Sequence, residues 1–367
     1  MLISEAIQGR DNNFNLIRFL AATGVLISHA YPLTLGPSAI QPLERIVGEP
    51  LGHLSVLTFF AVSGLLITQS FDNSSRFSRW LAARALRIFP ALLVVLVLTA
   101  LILGTSVTNL SLEEYFGATD TLSYVPSNLS LYFLQPALPG VFTENPFPEA
   151  INGSLWTLNH ELTCYAGVAA LGLIGGIASR KLGLLLLAAA TVFTILIVEF
   201  GEVAGLPGRM MALAFLALPF VMGSIVYLLR DRIRLSGWAV IPLLALAFAT
   251  TSLPFHHTVL SMATVYTVFY LAYVPAGRVR RFNGLGDYSY GIYIYAFPFQ
   301  QLGSFLFPGM SPVENMAFAL PLTLIAAILS WHLIEAPALR LKTRYGRRSD
   351  ESRAQTTEQT RNESAIS

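Results

Sequence analysis

The sequence predicts an all-α polytopic membrane protein of about ten transmembrane helices, with both termini in the cytoplasm. Three observations predict it. Of 367 residues, 54% are hydrophobic and 12% charged, with mean hydropathy +0.60, whereas an ordinary soluble chain is about a quarter charged. Ten apolar runs, each close to the roughly 20 residues that cross a bilayer as a helix, are separated by short polar or Pro/Gly-marked breaks. With the N-terminus in the cytoplasm, all but Arg18, Arg45 and Arg209 of the 23 Lys and Arg fall on the cytoplasmic side of those runs or in the C-terminal segment. Basic loops are retained in the cytoplasm, so this alternation supports both the count and the orientation.

The first run, residues 14 to 33, is expected to stay as helix 1. It is longer than a signal-peptide core and is interrupted by Arg18 and His29. Eleven residues at 100° each make three turns plus about 20°, so the two side chains share one face, about 16 Å apart. Arg18, near the cytoplasmic end, could snorkel. His29 has no such excuse and counts as a functional candidate.

The runs at 54 to 71 and 86 to 104 follow, the second preceded by RFSRWLAARALRIFP. Arg84 and Arg87, spaced i, i+3, share a helix face. They read either as a topology anchor for anionic lipid or as a phosphate clamp, for which the planar Arg fork is suited. The long segment 105 to 153 holds five acidic residues and no Lys or Arg, and so faces outward. Its Pro, Asn and aromatic content suggests an ordered lid or re-entrant segment, or a cover without chemistry.

The fourth run, 155 to 177, opens with NGSLWTLNHELTCY. Thr157, Glu161 and Tyr165 are spaced i, i+4, i+8 and form a polar stripe, with His160 pointing about 100° away. Glu161 lies at a depth comparable with His29. It is expected either to hydrogen-bond that imidazole and orient it, or to be a protonated packing group. Cys164, the single cysteine, excludes an internal disulfide and reads as helix packing.

Runs at 182 to 200, 209 to 229, 238 to 253 (short for a span) and 258 to 274 carry little chemistry. The ninth, 288 to 307, contains Tyr288, Tyr290, Tyr293 and Tyr295, most simply an interfacial belt. The tenth, 316 to 334, ends in WHLIEAPALRL, where Glu335 is expected to pair with an arginine. Residues 1 to 342 thus form one membrane-embedded domain, and 343 to 367 read as a disordered cytoplasmic tail.

Together these segments resemble the acyltransferase-3 family of multipass membrane acyltransferases, over residues 12 to 340. The R-x10-H pattern is matched by Arg18 and His29, FFAVSGLLI resembles the family's FF-hydrophobic-SG signature, and RALRIFP carries R-x-x-R with Arg84 and Arg87. SLWTLNHELTCY puts Glu161 in the acidic position, and LGDYSYGIYIY resembles the S-Y-x-x-Y-L region. The chain departs from the pattern at YIYAFPFQQ, where many members carry a histidine after the last tyrosine pair. It matches the stand-alone form, without a fused extracytoplasmic hydrolase-like domain.

The resemblance implies transfer of an acyl group, most often acetyl, from cytoplasmic acyl-CoA to a hydroxyl of an extracytoplasmic glycan or glycolipid, in a bacterial cytoplasmic (inner) membrane. Arg18, Arg84 and Arg87 would hold the CoA phosphates. His29 would act as general base oriented by Glu161, or alternatively would carry the acyl group covalently. Tyr290, Tyr293, Trp156 and Tyr165 are the candidate oxyanion or acceptor contacts. No metal and no nucleic acid is implied, and the acceptor could be exopolysaccharide, lipopolysaccharide or a lipid-linked oligosaccharide. The rival from another class is a proton-coupled transporter, since intramembrane Arg, His and Glu also serve carriers; a noncatalytic scaffold would leave the aligned Arg and His unexplained.

Overall fold

A computed structural model describes residues 1–9 and 11–341, so the C-terminal tail call and the basic residues beyond 341 lie outside the described residues. The described residues are mostly helical, and no strand longer than a single bridge occurs among them. Ten helices of 13 residues or more sit where the ten apolar runs lie. They are α1 (Phe14–Leu35), α2 (Leu51–Asp72), α3 (Phe77–Val107), α4 (Trp156–Leu173), α5 (Arg180–Phe200), α6 (Gly208–Leu228), α7 (Gly237–Ala249), α8 (His256–Tyr273), α9 (Ser289–Leu306) and α10 (Pro312–Leu341).

Six of these, α1, α2, α3, α5, α6 and α10, are long and apolar enough to cross a membrane, and α8 qualifies only together with Gly277–Gly284, bent from it by 91°. α7 is short. α4 and α9 fall outside the six for a physical reason: they carry the polar faces turned into the bundle, which lowers their apolarity without exposing them to lipid. The chain is therefore a multi-pass membrane protein, with six helices among the described residues long and apolar enough to span.

Close packing of α2 is what brings the site together. A Cβ on Gly64 would strike the Phe220 backbone of α6, and one on Gly223 would strike the Ala61 carbonyl. Helices in lipid gain little from hydrophobic burial against one another, so such small residues let backbones approach closely. This is the physical content of the SG pair in FFAVSGLLI. Thr68 Oγ1 adds a hydrogen bond to Ser224 Oγ across the same seam at 2.9 Å. Away from the seam, Phe193 of α5 and Trp238 of α7 remain exposed, as lipid-facing residues should.

α1 is fixed at its start and at mid-length. The Asn13 amide donates to the Leu271 and Pro275 carbonyls at 2.9 Å each, and Gln300 of α9 donates to the Leu26 carbonyl at 2.8 Å. The 105 to 153 segment is ordered, as the lid reading expects, with helices Leu112–Gly117 and Thr119–Leu129 followed by irregular chain. Ser111 caps the first, accepting from Glu114 N–H, and hydrogen bonds from Ser111 lower the Glu114 carboxyl below its usual range. Gln301, fully buried, ties the lid down through the Phe147 and Ala150 carbonyls at 2.8 and 2.6 Å.

Candidate active site

At one end of α1 the charges form a closed network. Asp287, two residues before α9, receives both Arg18 and Arg87; the Arg87 contact is 2.6 Å. Arg87 also reaches Glu335 at 3.2 Å, bearing out the expected arginine partner. Glu335 lies in a π-helical turn, Trp331–Glu335. The turn aims both its ends at Arg87, since the guanidinium also lies 5.9 Å from the Trp331 ring centroid. Ser330 donates to the other Glu335 oxygen at 3.0 Å. Burial would raise the Asp287 carboxyl, but Arg18, Arg87 and the Ser289 hydrogen bonds outweigh it and hold the group down at about 2.

Arg84, one turn away, differs. Its Nε is buried without a hydrogen-bond partner, and no ion pair to it forms among the described residues. Its charge is felt by Glu161 and Tyr165 nonetheless.

The polar stripe of α4 faces inward as its spacing predicts. Glu161 Oε1 accepts from Ser63 Oγ at 3.0 Å and from the Tyr165 hydroxyl at 2.6 Å. Thr157 Oγ1 lies 2.5 Å from the Tyr293 hydroxyl. Arg18, Phe59, Thr157, Glu161, Tyr290 and Tyr293 line a narrow cavity of about 40 Å³. The tyrosines of α9 are not an interfacial belt: Tyr290, Tyr293 and Tyr295 are all buried. The Tyr290 hydroxyl donates to the Ile88 carbonyl at 2.9 Å. A buried phenol needs such a partner, which is why α9 carries its tyrosines on the inner face.

His29 stands apart from this cavity. Its ring meets Phe297 edge-on at 5.3 Å, and its Nδ1 is buried with no partner. The hydrogen bond expected between Glu161 and His29 is absent; the carboxylate is committed to α2 and to its own helix. Matching depth fixes the level of two residues in a bundle, not whether their helices turn them toward each other. Trp156 lies elsewhere again, 39% exposed and edge-on to His160 at 5.3 Å.

Sequence reasoning missed Asp287, Ser63, Gln300 and Gln301. Asp287 lies in the quoted LGDYSYG, and an acidic residue at a helix start near a surplus of arginines was the available signal. The two glutamines stand at YIYAFPFQQ, beside the position where the family pattern departs, and they serve to fasten α1 and the lid. Among the described residues no group of three or more His, Cys, Asp or Glu is arranged to hold a metal.

The fold and site are those of a helical membrane bundle with a buried Arg, Glu and Tyr cavity and, apart from it, an imidazole whose Nδ1 is unpartnered. Residues 11–334 match the acyltransferase domain of the acyltransferase-3 family, and the chain belongs to that family. It is 32% identical over 340 residues to an O-acetyl transferase of Shigella phage Sf6, covering 89% of this chain and 95% of that protein. It is also 26% identical over 373 residues to nodulation protein 10 of Rhizobium leguminosarum bv. viciae, covering 93% and 96%. No solved structure matches it. The protein is an enzyme that transfers acyl groups, and the comparisons give no support to a transporter.

Proposed function

We propose that the protein is an O-acetyltransferase of the bacterial cytoplasmic membrane, moving an acetyl group from cytoplasmic acetyl-CoA to a hydroxyl of an extracytoplasmic glycan. In this reading the chain crosses ten times with both termini inside, which has the Arg18 end of α1 at the cytoplasm and the lid outside. The observation that carries the reading is the polarity of α1: its inner end sits in an arginine cluster and its outer end presents an imidazole with an unpartnered nitrogen.

The donor's anionic end would be held at the arginine cluster. Arg84 suits it best, because an orphaned buried guanidinium N–H is a site for an oxyanion, while Asp287 already engages Arg18 and Arg87 and keeps them in place. About three helical turns separate that cluster from His29, a gap comparable with an extended pantetheine arm. His29 takes the proton of the acceptor hydroxyl as the oxygen attacks the acyl carbonyl, and the C–S bond of the thioester breaks. The departing thiolate then recovers one proton, so the products are ester and free thiol. Glu161, which lines the cavity, accepts from Tyr165 and Ser63 and balances the Arg84 charge. The phage relative is an O-acetyl transferase, which supports acetyl as the group moved.

The test compares O-acetylation of the cell-surface glycan, by mass spectrometry, in a deletion strain and in strains complemented with wild type or His29→Ala. We expect ester to be lost on deletion and restored by wild type alone. Purified protein that exchanges solute across vesicles while transferring nothing from acetyl-CoA would overturn the reading.

A further inference from the structure

The carboxylate and imidazole pair expected at His29 is built on another histidine. Glu49 Oε2, just before α2, lies 2.8 Å from His53 Nδ1 in the first turn of that helix. A carboxylate on Nδ1 fixes the ring's tautomer and leaves Nε2 as a hydrogen-bond acceptor. The ring is half exposed at 50% and meets Phe215 edge-on at 5.5 Å. At this level α1 and α2 touch, since a Cβ on Gly52 would lie 2.9 Å from Ser28 Oγ, so His53 and His29 follow neighbouring residues of the same contact.

His53 opens onto a cavity of about 290 Å³, shared with Trp156, Val56, Met211 and Phe215. This has the character of a small-molecule site: apolar and aromatic walls with one placed polar group. A Trp at a helix end ordinarily marks a membrane interface, but here its ring borders the same cavity as an oriented imidazole. Among the described residues that line the cavity none is Lys or Arg, so the walls offer no fixed cation to an anionic ligand. They suit a pyranose ring, whose C–H face packs on an aromatic ring while its edge presents hydroxyls.

We propose that this cavity is the acceptor-sugar subsite, in which an uncharged pyranose lies against Trp156 and donates one hydroxyl to His53 Nε2, presenting the adjacent hydroxyl to His29. The assignment rests on the acyl-transfer reading above. It makes His53 a positioning residue, Glu49 its orienter, and the substrate class a neutral sugar unit with two neighbouring free hydroxyls.

The experiment uses the full chain in detergent and, as probe, short oligosaccharides from the de-O-acetylated surface polysaccharide of the producing cell. Transfer kinetics are measured with acetyl-CoA and acceptor varied separately, and acceptor binding without acetyl-CoA is followed by tryptophan fluorescence. His53→Ala is expected to raise the acceptor KM at least tenfold while the donor KM and kcat stay within twofold. Glu49→Gln should raise it about threefold, and Trp156→Phe should retain more affinity than Trp156→Ala. An unchanged acceptor KM in His53→Ala, or a fall confined to kcat, overturns the proposal. Should His53→Ala fail to insert, Trp156→Ala carries the same test, and an unchanged acceptor KM overturns it there. If wild type binds the oligosaccharide but transfers nothing, the acyl-transfer reading fails; the subsite stands only if His53→Ala weakens that binding. Wild type that neither transfers nor binds overturns both.

Discussion

The two ends of α1 follow opposite rules. At the Arg18 end, Asp287 and Glu335 satisfy Arg18 and Arg87, and Ser289 and Ser330 fill further carboxylate oxygens. At the His29 end a buried ring nitrogen has no partner. A buried polar atom left unpaired costs about 1 to 3 kcal/mol; His29 Nδ1 is one of several such atoms, and the one that stands at the outer end of α1. In the proposed function the paired end is scaffold that positions cations, and the unpaired end is where a substrate would complete the hydrogen bonding. Arg84 Nε breaks the rule at the first end, and so marks the place there where a ligand is expected.

The largest effect should come from the unpaired end. His29→Ala is expected to lower kcat about 10² to 10⁴-fold, the range for removing a general base, with melting temperature in detergent unchanged within error. A variant losing stability in proportion to activity would return His29 to the scaffold.

Asp287→Asn attacks the paired end and should act mainly on stability. Removing one partner of a buried ion network leaves charge uncompensated and costs about 3 to 5 kcal/mol, read as a lower melting temperature. Because the folded carboxyl is held down at about 2, below the unfolded value near about 3.9, its contribution is present above pH about 4. It is lost as the pH falls toward 2, and the asparagine variant should lack that acid-side loss. Equal acid sensitivity in both proteins would remove Asp287 from the network's energetics.

Arg84→Ala should act on binding. Loss of a charge-assisted hydrogen bond is worth about 1.5 to 3 kcal/mol, so the KM for acetyl-CoA should rise about tenfold or more with normal membrane insertion. Unchanged donor affinity would leave Arg84 as a lipid anchor.

Apolarity made the helices legible, because the property that forms a membrane helix is the one the sequence displays. The count of crossings was less so: α4 and α9 spend their apolar character on a polar inner face, and α7 is short. Arg18 and Glu161 stood out as charges inside apolar runs, and Arg84 and Arg87 as an i, i+3 pair just before one. Their partners did not, because Asp287 meets Arg18 from 269 positions away and helical phase says nothing about which neighbour a face will meet. The same gap produced the mistaken pairing of Glu161 with His29, and hid the Glu49 and His53 pair, which needed only i, i+4 spacing to be seen.

The smallest effect tests whether the cavity between the two ends belongs with the scaffold. Tyr293→Phe keeps the ring's edge contact with Phe59 at 5.7 Å and removes only the hydroxyl. Thr157 is not orphaned by the change, since its own hydroxyl still donates to the Ser154 carbonyl at 3.2 Å. One hydrogen bond is lost, worth about 1 kcal/mol, and kcat should move less than about threefold, because a phenol committed to Thr157 is not free to donate to a developing oxyanion. A fall of 10² to 10³, the range for losing an oxyanion donor, would show that the hydroxyl leaves Thr157 when substrate arrives. The cavity would then join His29 at the reacting end, and the division would run between Arg87 and Tyr293 and no longer along α1.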